Sequence, residues 1–140
     1  MTRLPAALAL LLTACATPPV PPDSCAVDLQ GTEAQRHYAH RHCERLGYSA
    51  HGVTVERSWA PPCDGSRACL HLREGGDVII HLDQSEDWPR LLHHELTHLY
   101  LLREHPEMDP EDHHEWMLRH RECGRVEWCV WSPTPVLKEM

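Results

Sequence analysis

Phenylalanine is absent from this sequence, and its longest apolar run, Ala6 to Leu12, falls far short of the about 20 residues a membrane-spanning helix needs. Bulky apolar groups come instead from five Trp and many Leu. Basic charge is scarce: 13 Lys and Arg face 21 Asp and Glu, for a net charge of −8. That balance argues against nucleic acid as a partner, because phosphate binding takes basic patches. No two cysteines form a C-x-x-C pair, which weakens the case for a cysteine-based zinc site. With 140 residues the chain has room for one small domain around a modest core.

What is abundant is histidine, 13 residues of it, and cysteine, 7 residues. Arg3 followed by the apolar Ala6–Leu12 run has the form of an export signal. The run ends in Leu12-Thr13-Ala14-Cys15, which resembles the lipobox of bacterial lipoproteins. The resemblance implies a signal peptide over residues 1–14 and a lipid anchor to membrane on Cys15. It also implies a place in the bacterial cell envelope; Ala16 points to the outer membrane, facing periplasm or exterior. Residues 15–24 hold Pro18, Pro19, Pro21 and Pro22 and predict an extended spacer. The six remaining cysteines, an even number in an exported domain, read as a disulfide framework. Proximity favours Cys25–Cys43, Cys63–Cys69 and Cys123–Cys129.

The folded domain is expected over residues 25–131, with a loose tail over 132–140. Thr32 to Leu46 predicts a helix, capped by Thr32 and stopped by Gly47. His37, His40 and His42 on it are expected on a solvated face. Val53–Glu56 reads as a short strand. Ala68–Arg73 and Asp77–Leu82 read as a hairpin around Glu74-Gly75-Gly76, with His71 and His81 facing partly outward. The main helix follows, capped by Ser85 or Asp87 and unbroken from Arg90 to Glu104. At 100° per residue, Leu91, His94, His98, Leu101 and His105 form one stripe, and Leu92, Leu96 and Leu99 lie opposite. A helix apolar on two sides belongs between layers. Glu111–Glu122 predicts a further helix, and Val126–Trp131 a disulfide-bounded turn or strand that buries Trp128 or Trp131. The fold class is α+β: a short hairpin or sheet packed on a central helix, with a second helix after it.

That central helix carries His94-Glu95-Leu96-Thr97-His98, the pattern H-E-x-x-H. Residues i and i+4 share a helical face, so both imidazoles can bind one zinc ion. Glu95 lies about 100° further round, where its carboxylate can act as general base on a water activated by the ion. This spacing is the motif of zinc metallopeptidases. A chain so rich in His and Glu can produce it by accident, so its surroundings must decide. Inward-facing histidines must be neutral and hydrogen-bonded, or bind metal.

A catalytic zinc site wants a third protein ligand, and His105, His113, His114 and Glu115 lie downstream. From Met108 to Trp116 the chain resembles small zincin-like bacterial proteins, including the SprT-like group, in which a third His opens the helix after the motif just ahead of an aromatic residue. The resemblance covers some 30 residues from His94. It implies a zincin-like metallopeptidase domain that holds one Zn²⁺ through His94, His98 and His113, with His114 and then His105 as alternative ligands. The implied substrate is a peptide or protein. His120 shares a face with His113 and is a candidate oxyanion stabiliser, as are Tyr100, Arg119 and Tyr48. The other reading is an envelope lipoprotein that binds zinc without catalysis, as scaffold or metal buffer.

Overall fold

The computed structural model describes Cys25, residues 28–131 and the backbone of 137–139. The expected signal peptide, the anchor Cys15 and the proline spacer lie outside the described residues. Among those described, no helix is long and apolar enough to cross a membrane.

Helix α1 (Glu33–Leu46) starts where its sequence says it should. Thr32 Oγ1 accepts from the Gln35 amide at 3.1 Å, and Gln35 Oε1 accepts from the Thr32 amide at 2.8 Å. These bonds satisfy two N–H groups that a helix start otherwise leaves open. Gly47 ends the helix at φ 77°, a left-handed conformation that costs glycine little. Strands β1 (Val53–Arg57), β2 (Ala68–Leu72), β3 (Val78–Leu82) and β4 (Leu137–Glu139) make one sheet in the order β1-β3-β2-β4. β2 and β3 are the predicted antiparallel hairpin, while β1 and β4 join in parallel on either side. Three residues of the expected loose tail are thus an edge strand. Its short apolar and charged run carries no turn or alternation signal, and pairing with β2 defines it.

The register puts Val53, Val55, Leu70, Val78, Ile80 and Leu82 on one face. That face packs on α2 (Trp88–Glu104), against which α1 packs in turn, in a core that takes in Leu92, Leu96 and Leu99. Leu101, on the other side of α2, joins Met117, Cys123 and Cys129 in a second, smaller core. The central helix is therefore apolar on two sides, as its pattern predicts, with the histidines between. His71 and His81 do not face outward. Both are buried on the opposite sheet face, where His81 Nε2 and His71 Nδ1 share a hydrogen bond of 3.0 Å.

Asp87 occupies the N-cap position of α2, but its side chain makes no cap bond. It pairs with Arg67 and Arg125 instead. After α2 the chain makes a 3₁₀ turn over Pro110–Asp112 and enters α3 (His113–His120), a later start and earlier end than predicted. Pro110 opens that turn, where its missing N–H costs nothing, and the Asp109 carboxylate caps it by accepting from the Glu111 amide at 3.1 Å. Val126–Val130 is a short helix, α4, rather than a turn or strand. Trp128 packs against the main core, whereas Trp131 is 82% exposed. The six cysteines pair at disulfide distance in the expected way, with Cα–Cα separations of 5.9, 5.5 and 6.0 Å for Cys25–Cys43, Cys63–Cys69 and Cys123–Cys129.

Candidate metal centre

α2 presents His94 and His98 one turn apart, and the first turn of α3 brings His114 to meet them. The three Nε2 atoms form a triangle: His94–His98 3.2 Å, His98–His114 3.1 Å and His94–His114 3.2 Å. All three residues are buried. Tetrahedral zinc with nitrogens at about 2.0–2.1 Å spans about 3.3 Å from ligand to ligand, so the triangle has the size of one face of such a site.

Tautomers strengthen the fit. His94 Nδ1 lies 2.7 Å from the carbonyl oxygen of Cys123, which can only accept. The proton of neutral His94 therefore sits on Nδ1, and its Nε2 points a lone pair into the triangle. His98 has a partner behind it as well, since its Nδ1 lies 3.1 Å from His113 Nδ1. With Nε2 unprotonated in all three rings, the lone pairs would repel at this distance and a cation between them would remove the repulsion. Burial keeps these rings neutral. It lowers His94 to about 4, helped by His114, and holds His98 well below the ordinary histidine range, helped by His94 and His114.

Glu95 lines the same cleft at 4% exposure, and burial pushes its carboxyl up to about 8. The cleft has a volume of about 260 Å³ and is walled by Leu91, Trp128, Ala68 and Arg67 beside the three histidines. Arg67 bonds Asp83 at 2.8 Å, Ser85 at 2.6 Å and Asp87 at 3.3 Å, which fixes the loop before β2 against the start of α2. Local pattern gave no sign of Arg67, which is 28 positions before Glu95 and reaches the cleft only through the sheet.

The structure does not bring His113 into the triangle. It is fully buried one residue away, behind His98. Adjacent residues of a helix point about 100° apart, so only one of His113 and His114 can face the group, and the late start of α3 selects His114. His105 is elsewhere, bonded to the Tyr100 hydroxyl at 3.2 Å. His120 is exposed, stacked on Trp116 at 3.9 Å, and does not line the cleft. Arg119 pairs with Glu115, and the buried Tyr48 hydroxyl bonds His42 at 2.6 Å. None of these candidates faces Glu95 across the cleft.

Among the described residues a second group, His42, His93 and Glu122, also has ligand atoms close enough for one ion. Its positions are already filled. Arg45 grips the Glu122 carboxylate with bonds of 2.5 and 2.8 Å, and His93 Nε2–H donates to it at 2.7 Å. His42 is held from both sides. Thr97 donates to the His93 carbonyl, so its hydroxyl oxygen accepts from His42 Nε2–H at 3.1 Å, and Tyr48 donates to His42 Nδ1. Burial, with His93 and Arg45 nearby, takes His42 down to about 2. Far from solvated, His42 is a neutral strut behind α2.

No protein-family model, curated protein or solved structure matches the chain. Metal binding rests on the chemistry of these side chains: His94, His98 and His114 can hold one ion, beside a buried carboxylate.

Proposed function

We propose that the protein is a zinc-dependent peptidase whose metal is held by His94, His98 and His114. The observation that carries this reading is the convergence of three buried imidazole nitrogens beside Glu95, in a cleft open to a small ligand. When bound, zinc would supply a Lewis acid and lower the pKa of a water to roughly 7. Glu95 would accept a proton at its carboxylate and return it to the leaving amine. Burial favours the protonated acid in the metal-free protein, while a neighbouring cation favours the carboxylate that a base requires. Leu91 and Trp128 would keep the reacting region poor in water.

The decisive variant is Glu95→Gln, which should hold one equivalent of zinc and lose cleavage of a peptide library. Parent-like activity in that variant would end the assignment. One observation favours zinc binding without catalysis: at about 260 Å³ the cleft is just below the range of roughly 300–1,000 Å³ common for ligand sites. Stoichiometric zinc with no cleavage of any library peptide would establish that second reading. We further propose envelope proteins or peptides as substrates, reached from a lipid anchor on Cys15. Mass spectrometry of the mature N-terminus tests the anchor.

A further inference from the structure

We propose that His113 is a positioning residue for His98, accepting its Nδ1–H and so fixing the tautomer that turns the Nε2 lone pair towards the metal; the inference rests on the zinc reading of the site. His98 Nε2 lies 3.1–3.2 Å from both other ligand atoms. To bind a cation through Nε2 it must carry its proton on Nδ1. The Nδ1 of His113 lies 3.1 Å away, and the two side chains are 1% and 0% exposed, so water does not substitute for this contact. The opposite assignment, with His113 as donor, places a proton on His98 Nε2 inside the triangle and closes it to a cation.

The acceptor role fixes His113 too. Its own proton must sit on Nε2, a buried atom with no hydrogen-bond partner among the described residues. A buried donor left unbonded destabilises the fold, and such a cost is tolerated where the group serves something else. His94 obtains the same support without that cost, from the Cys123 carbonyl. Consecutive residues of one helical turn thus do different work: His114 faces the metal, and His113 orients the ligand beside it. Groups behind a ligand in this way commonly set metal affinity within roughly 10–100-fold.

The test compares zinc affinity, by chelator competition, in the parent and in His113→Leu, His113→Asn and His113→Gln. Asn carries its amide at the branch position of Nδ1 and keeps an acceptor there. Gln carries it one methylene further out, and Leu has none. Expected are roughly 10–100-fold weaker zinc binding in Leu and Gln, affinity close to the parent in Asn, and a His98 Nδ1–H resonance in zinc-loaded parent and Asn proteins. Leu binding zinc as tightly as the parent, or Asn binding no better than Gln, overturns the proposal. If Leu does not fold, the Asn and Gln pair decides. A parent that binds no zinc overturns the zinc reading itself and this proposal with it. Zinc bound equally by parent and variants overturns this proposal alone.

Discussion

Opening the Cys123–Cys129 disulfide should weaken metal binding as well as the fold. The Cys123 carbonyl fixes His94 at 2.7 Å, and it sits on a segment anchored by this bridge in the smaller core. The perturbation is the double variant Cys123→Ser with Cys129→Ser, which removes the bridge, leaves the carbonyl and adds no thiols to compete for zinc. A sequence separation of 6 is a short loop, for which chain entropy gives about 2 kcal/mol of stabilisation. For a domain of this size that corresponds to a fall of about 10 °C in the melting temperature of the metal-free protein. Freeing the carbonyl should add a loss of roughly 10–100-fold in zinc affinity, equivalent to about 1.4–2.7 kcal/mol. Thermal melts of metal-free protein give the first quantity and chelator competition at a temperature where both proteins are folded gives the second. A lower melting temperature with unchanged zinc affinity would refute the reasoning, and would show that packing of α2 against α3 alone holds the carbonyl in place.

Two further outcomes follow from buried groups away from the metal. His42 has a folded pKa of about 2 against an ordinary value near 6.5, so below pH 6.5 the unfolded chain takes up a proton that the folded chain refuses. Its contribution to stability is lost as pH falls, by about 1.4 kcal/mol between pH 7.5 and 5.5. Urea unfolding at the two pH values should show that much less acid sensitivity in His42→Gln; an identical pH dependence would rule the account out. Gly124 sits at φ 77°, and a Cβ there would lie 2.5 Å from the Arg90 carbonyl oxygen. Gly124→Ala should destabilise by more than the roughly 1 kcal/mol of left-handed strain alone, read from denaturant melts. A cost of only a few tenths would mean that the loop shifts freely away from α2.

Much of the frame was legible because it depends on local chemistry. Thr32 and Gly47 bound α1 through a capping box and a left-handed stop, and β-branched runs beside Gly75-Gly76 mark the hairpin. The pairing of α2's two apolar stripes with two cores follows from 100° arithmetic. The H-E-x-x-H pair was equally plain. The third histidine was not, because His113 and His114 are neighbours and the choice turns on where α3 begins. Three residues of 3₁₀ turn after Asp109 shift that start, and a shift of one residue turns the helix by about 100°. Arg67, the Cys123 carbonyl and the His42 strut come from distant segments, and β4 owes its existence to the edge of β2. Those are tertiary facts, outside the reach of any local pattern.

The order of strands in the sheet bears on how the molecule comes together. β1 pairs with β3 and not with β2, so it must wait for the hairpin that follows it in the chain. The three imidazoles, by contrast, come from α2 and the first turn of α3, within 21 consecutive residues. Closing so short a loop costs little conformational entropy, no more than joining β1 to β3 across 25 residues (Val53 to Val78), whereas joining β4 to β2 across 67 residues (Leu70 to Leu137) costs about 1 kcal/mol more. The loop and strand that wall the cleft, Gly65 to Ala68, belong to the β2–β3 hairpin, whose arms close across six residues (Leu72 to Val78), so ligands and wall both come from local segments. The three imidazoles and the cleft beside them therefore need no contact with β4, which completes the sheet at an edge away from the site.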